Sequence, residues 1–181
     1  MGGAGNSLIR GIDIQELIDT IDSFHAQSWV VMHFSLALKN RLEGQTAFLL
    51  SKELEDKAEE SAKHAKKLAE RIAELGGTET GDPTEFVMLS PLKRFSMPGS
   101  STDVKVILSY LLEQEQSIIG KYGEFMIKIR DKDDLTYHLL LEIVEDEIRR
   151  ESEIESAINS NMARETNEKQ KTEEQLNLQQ H

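Results

Sequence analysis

All three prolines of this 181-residue chain, Pro83, Pro91 and Pro98, fall inside one 25-residue interval, 77–101. On either side of that interval, apolar residues recur every three or four positions, the period of an amphipathic helix. Four such segments are readable, over about 13–43, 46–75, 102–130 and 134–163. "EGQT" separates the first pair and "RDKDD" the second, so each pair is joined by a link short enough to force an antiparallel hairpin. The second segment stops at "ELGGTETGDP", with Gly76 at a C-cap position, and "GSSTD" offers Ser and Thr N-caps to the third. A helix of ~30 residues is ~45 Å long, whereas 25 extended residues reach ~80 Å. The long link therefore suffices to carry the chain back along the helices to its starting end. The fold this predicts is all-α: a four-helix bundle with one long crossover between the second and third helices. Residues 1–12 form an N-terminal segment, 13–163 the bundle, and 164–181 a polar tail with little to bury and an expectation of mobility. "FVMLSPL" within the crossover is apolar enough to dock on the bundle.

The buried stripes of the four helices are interrupted by polar residues. The first runs Ile14, Leu17, Ile21, Phe24, Ser28, Val31, Ser35, Leu38, Leu42; the second Leu54, Ala58, Ser61, Ala65, Leu68, Ile72, Leu75. The third runs Val104, Leu108, Leu111, Glu115, Ile118, Tyr122, Phe125, Ile129; the fourth Tyr137, Leu140, Val144, Glu147, Glu151, Ile154, Ile158. Ser28, Ser61 with its neighbours Glu60 and His64, Glu115, and Glu147 with Glu151 all lie near their helix midpoints. Midpoints coincide in a bundle whichever way its helices point, so these residues are expected in one layer halfway along the core. Buried carboxylates are costly unless paired, protonated or bound to metal. Glu60, Glu115 and Glu147 converging with His64 would make a carboxylate-rich di-metal layer suited to iron or manganese, and less specifically zinc. The plainer reading of Glu60 and His64 alone is a solvated i,i+4 pair on a Glu- and Lys-rich helix. His25, His33 and His138 read individually as structural, and Trp29 as packing.

Charge and composition narrow the functional classes. Thirty-three acidic residues against 21 basic give a net charge of −12, which argues against a nucleic-acid or membrane-surface binder and suits attraction of metal cations. The segment before Asp13 holds one basic residue, and the tail from Ala163 holds three against four acidic ones, so neither end offers a nucleic-acid arm. With no cysteine, thiolate sites and disulfides are excluded. "MGGAGNSLIR" has no apolar core of a signal peptide, and Asn6 breaks the myristoylation pattern. No apolar run approaches the ~18 residues of a membrane span. The expectation is a cytoplasmic protein.

The stretches "GIDIQELID", "AERIAELGG", "LLEQEQSIIGKY" and "TYHLLLEIVEDEIRRE", spread over Gly11 to Ile158, resemble the Dps-like mini-ferritins of archaea and bacteria. The resemblance implies a ferritin-like four-helix bundle that assembles with itself into a hollow shell, typically a dodecamer. It also implies oxidation of Fe(II), often with hydrogen peroxide, storage of the ferric mineral, and protection from oxidative stress. By that resemblance Glu115 and Glu147 match the third- and fourth-helix carboxylates of the iron centre and would be its catalytic pair. His64 matches the second-helix histidine, with Glu60 the nearest acid. In the usual Glu-x-x-His spacing the acid would stand at 61, which is Ser61 here. The first-helix glutamate position is Ser28, and the fourth-helix histidine, three after Glu147, is Arg150. The paired-cysteine motif common among these relatives is missing.

These departures leave open how the layer is completed. Arg150 cannot lose its proton at physiological pH, so it could neutralise Glu147, Glu115 or Glu60 through a bidentate bond. Glu151 on the fourth helix, or His25 one turn before Ser28, could instead stand in as a metal ligand. The leading expectation is an iron-binding, iron-storing protein with a modified centre, and so a ferroxidase with a degraded site. Beside it stands a ferritin-fold shell or scaffold protein whose metal centre is replaced by an Arg-carboxylate cluster, without ferroxidase activity. A third reading is an unrelated acidic four-helix adaptor.

Overall fold

The computed structural model describes residues 9–92 and 96–179, following only the course of the backbone over 162–179. Among the described residues it is helical throughout: α1 (Ile14–Lys39), α2 (Gly44–Glu74), the single turn α3 (Phe86–Leu89), α4 (Val104–Ile129) and α5 (Asp134–Gln179). Helices α1 and α4 each start on an aspartate cap. Asp13 accepts from the amides of Gln15 and Glu16 at 2.9 and 3.0 Å, and Asp103 from those of Lys105 and Val106 at 3.0 and 3.1 Å. Each cap satisfies two amides that the first turn leaves without a helical partner, worth about 1 kcal/mol. The third long helix is thus capped by Asp103 rather than by the preceding serines or Thr102.

Helix α2 ends in a Schellman turn. Gly77 donates to Ile72 and Gly76 to Ala73, both at 3.0 Å, with Gly76 at φ +88° just past the C-cap Leu75. Gly77 then passes so close to α1 that a Cβ there would meet Ile18 Cγ2 at 2.9 Å.

From this point the crossover follows α1 along the bundle. Thr80 donates to Asp22 from its amide (2.9 Å) and hydroxyl (2.6 Å). Phe86 stacks on Trp29 with ring centroids 6.4 Å apart. At the far end Glu43 donates to the Ser101 carbonyl at 3.2 Å, and Thr46 to that of Thr102 at 2.7 Å. The crossover therefore joins opposite ends of the bundle, as the arithmetic of link and helix lengths allows. Its apolar stretch docks through Phe86 and Leu92, while Val87 and Met88 face outward.

Two helix ends differ from expectation. Helix α1 stops at Lys39 rather than near 43, because 40–43 is spent on the turn into α2. Helix α5 continues through Gln179 instead of ending near Ala163. The stretch 164–179 is rich in Glu, Lys and Gln and free of Gly and Pro, so local propensity favours continuing the helix.

The core divides into two apolar halves. One is built around Leu17, Ile21, Phe24, Leu68, Ile72, Ile118, Phe125, Ile129 and Ile143. The other holds Phe34, Leu38, Leu54, Ile107 and Leu108, with Ile154 and Ile158 packed against it. Between them lies a polar layer contributed by all four long helices.

Candidate functional site

The layer contains a residue the stripes did not single out. Lys57 is 5 % exposed, and its ammonium donates to Glu115 Oε2 at 3.0 Å and to Glu147 Oε2. Three helices meet there: Lys57 on α2, Glu115 on α4 and Glu147 on α5. His64, one α2 turn past Ser61, points its Nδ1 at Glu147 Oε1 (3.5 Å), and its Nε2 lies 3.2 Å from Asp146 Oδ2. Glu115, Glu147 and His64 are buried side by side at mid-bundle.

Glu60 lies at the rim of this layer. Arg150 donates to its Oε2 from Nε at 3.2 Å and from Nη2 at 2.6 Å, and Arg149 donates to its Oε1 at 3.0 Å. Of the partners open to Arg150 from the sequence, the structure selects Glu60. Ser28 is satisfied within the layer: its hydroxyl donates to the Phe24 carbonyl at 2.9 Å, and it hydrogen-bonds buried Tyr122. Tyr122 in turn stacks on Phe24 with centroids 4.2 Å apart.

The other two candidate ligands lie apart. His25 accepts from Trp29 Nε1 at 2.9 Å, its Nδ1 is 3.4 Å from Asp22 Oδ1, and its ring stands edge-on to Phe86. It holds the crossover against α1. Glu151 is half-buried and makes no hydrogen bond or ion pair among the described residues. Lys57 and Asp146 went unread in the sequence. Lys57 nevertheless fits the stripe, three after Leu54, four before Ser61 and seven before His64. Lysine is so rarely buried unpaired that its type concealed its position.

The electrostatics follow from one cation shared by two acids. Burial raises the Glu115 pKa to about 8, with Lys57 opposing and the charge of neighbouring Glu147 adding to the rise. For Glu147 burial acts in the same direction, but Lys57, His64 and a hydrogen bond from Glu115 outweigh it and hold the carboxyl below the usual range. Burial disfavours the Lys57 ammonium, yet Glu115 and Glu147 more than compensate and its pKa is raised. The opposite shifts of the two acids favour one proton shared between them beside a single ammonium, with a second ion pair, Arg150–Glu60, next to it. Such a set is charge-balanced and hydrogen-bonded, the condition under which buried ions are tolerated.

The same set fits a metal ion poorly. The facing oxygens of Glu115 and Glu147 are engaged by an ammonium, and Glu60 by two guanidinium groups. Among the described residues no group of three or more His, Asp or Glu side chains is arranged to hold a metal ion. Nor is any described helix long and apolar enough to cross a membrane.

Comparison with known proteins agrees with the geometry of the fold. The family described as a ferritin-like domain matches residues 18–162. The DNA protection during starvation protein of Pyrococcus furiosus is 30% identical over 148 residues, covering 82% of this chain and 80% of that protein. The bacterioferritin-related protein of Bacteroides fragilis, described as a dodecameric thioferritin, superposes with a TM-score of 0.77 at 25% identity, over 87% of this chain and 92% of that one. Dps from Staphylococcus aureus gives a TM-score of 0.72 at 17% identity, over 80% and 95% of the two chains.

Proposed function

We propose, from the premise that this chain belongs to the ferritin-like domain family, that it is a shell-forming protein of the Dps-like kind whose own carboxylate layer is closed by Lys57 and does not oxidise iron. The observation that carries this reading is the Lys57 ammonium donating to both Glu115 and Glu147. A lysine ammonium supplies the positive charge that two facing buried carboxyls need, and it does so permanently. For Fe(II) to enter as substrate, it must displace that ammonium or sit beside it. Two unit charges ~4 Å apart repel by ~4 kcal/mol at an effective dielectric of 20, and the ion carries two. That is a loss of at least about three decades in affinity. Arg150 on Glu60 withdraws the next acid in the same way.

Support for a shell comes from the relative in Bacteroides fragilis, described as dodecameric. The Pyrococcus relative is named for DNA protection. Direct phosphate binding is disfavoured here by the net charge of −12, so any such protection would act through the shell rather than through contact. A cytoplasmic setting agrees with the sequence reading.

The iron-handling reading is favoured by one observation, the adjacency of Glu115, Glu147 and His64. It requires Lys57 to leave the layer. Anaerobic Fe(II) titration of the purified protein, with iron counted per subunit and oxidation followed on admitting peroxide, decides between the two. The closed layer predicts far less than one tightly bound iron per subunit and oxidation at the rate of buffer. Two tightly held irons per subunit, oxidised rapidly, would overturn it. Light scattering that returned only the 20.5 kDa monomer would remove the shell as well.

A further inference from the structure

The apolar half of the core nearer the α1–α2 turn is incompletely filled. A cavity of about 330 Å³ opens between α2, α4 and α5, walled by Leu50, Leu54, Leu108 and Ile154. Its volume lies at the lower end of the range for small-molecule sites, which are mostly apolar with a few placed polar groups. Here the polar groups converge at one end. Lys57, Glu115 and Arg150 all contribute to the lining, and Lys57 and Arg150 are 5 % and 8 % exposed.

Both cations have donor capacity to spare. A lysine ammonium has three protons, and Lys57 directs two of them at Glu115 and Glu147. Arg150 bonds Glu60 through Nε and Nη2, leaving Nη1 with no hydrogen bond among the described residues. Glu53 and Glu153 also line the cavity, but both are exposed, where salt screens their charge; the buried cations are screened much less.

We propose that this cavity binds a small amphipathic carboxylate, its alkyl chain along Leu50, Leu54, Leu108 and Ile154 and its head against Lys57 and Arg150. The donor pattern selects the occupant. An apolar molecule would leave the spare donors unanswered, and an ammonium head would find the acids at the inner end already bonded to Lys57 and Arg150. A carboxylate accepts from both and places its chain on aliphatic walls.

The inference rests on Lys57 lying in the layer, as in the proposed function, but it fails separately. Iron stoichiometry tests the position of Lys57, whereas chain-length and head-group dependence test the cavity. The experiment is calorimetric titration of the full-length protein with decanoate, 1-decanol and decylamine in turn. Decanoate is expected to bind once per subunit with a submillimolar dissociation constant, and decylamine not detectably.

Two variants locate the site. Ala157→Trp places a ring from the cavity lining into the space and should abolish decanoate binding while circular dichroism is unchanged. Arg150→Lys keeps a cation for Glu60 but removes the guanidinium fork, and should weaken decanoate about tenfold while leaving 1-decanol unaffected. Equal binding of all three ligands, or decanoate binding indifferent to both variants, overturns the proposal. So does absence of decanoate binding by the unaltered protein; a changed particle mass for Ala157→Trp would then mark the cavity as a contact between subunits.

Discussion

The Lys57 ammonium on α2 lies 3.0 Å from the Glu115 carboxyl on α4 and also donates to Glu147 on α5, so one side chain ties together three of the four long helices halfway along the core. This accounts for two acids buried between the two apolar halves of the core. Each is answered by the same cation, and neither need reach solvent.

Removing that cation should be expensive. Lys57→Met leaves Glu147 charged and unpaired in the interior and is expected to cost about 3–5 kcal/mol, the usual penalty for breaking a buried ion pair from one side. Chemical denaturation measures it. Adding Glu147→Gln to the same chain should recover most of the loss, because no uncompensated charge then remains. A double variant as unstable as the single one would show that Lys57 acts through packing and not charge.

The Glu115 carboxyl makes stability depend on alkaline pH. Its folded pKa, about 8, lies above the ordinary 4.5, so its contribution is complete below about 4.5 and is lost as pH rises through about 8. Glu147, held low chiefly by Lys57 against the effect of burial, contributes in the opposite sense: its share is present above 4.5 and is lost at acid pH. The pair titrates as a unit, so the measured slope belongs to both. The urea midpoint should fall between pH 6 and pH 9, ranges set by the shift to about 8, and Glu115→Gln should flatten that fall. A midpoint independent of alkaline pH in the unaltered protein contradicts the assignment.

Rebuilding a metal layer should require removal of Lys57. Arg150→His with Ser28→Glu restores the histidine and glutamate that the family resemblance places at those positions, but leaves an ammonium between Glu115 and Glu147. The double variant is therefore expected to bind Co(II) no better than the unaltered chain. Adding Lys57→Ala should produce the visible absorption of a bound Co(II). Equally tight binding by the double variant would mean that Lys57 readily leaves the layer.

A separate pH response should appear at the crossover. Burial lowers the His25 pKa below 6.5, opposed by the charges of Asp22 and Glu79. Neutral His25 accepts from Trp29 Nε1; protonated, it has no lone pair to offer. The lowered folded pKa makes this contribution complete above 6.5 and lost as pH falls through the folded value. Trp29 is the chain's one tryptophan, so its fluorescence reports the contact directly. Acidification should shift the emission of the unaltered protein, and the transition should be missing in His25→Phe, which keeps the ring packed on Phe86. Identical acid transitions in both proteins would place the response elsewhere.

The bundle, its hairpins and the long crossover were legible in the amino-acid order, because helix period and link length are local quantities. So was the meeting of Glu115, Glu147 and His64, since residues near helix midpoints share a level whichever partners the helices choose. The identity of the ion that joins them was not local. Lys57 stands on the buried stripe, but a lysine's flexible stem can carry its charge inward or out to water, and the sequence around it does not choose. Only packing α2 against α4 and α5 brought two carboxyls within reach, making the inward rotamer the one that satisfies all three groups. Tertiary structure likewise assigned Arg150 to Glu60, because several acids lay within its reach and packing α2 against α5 brought this one within bonding distance.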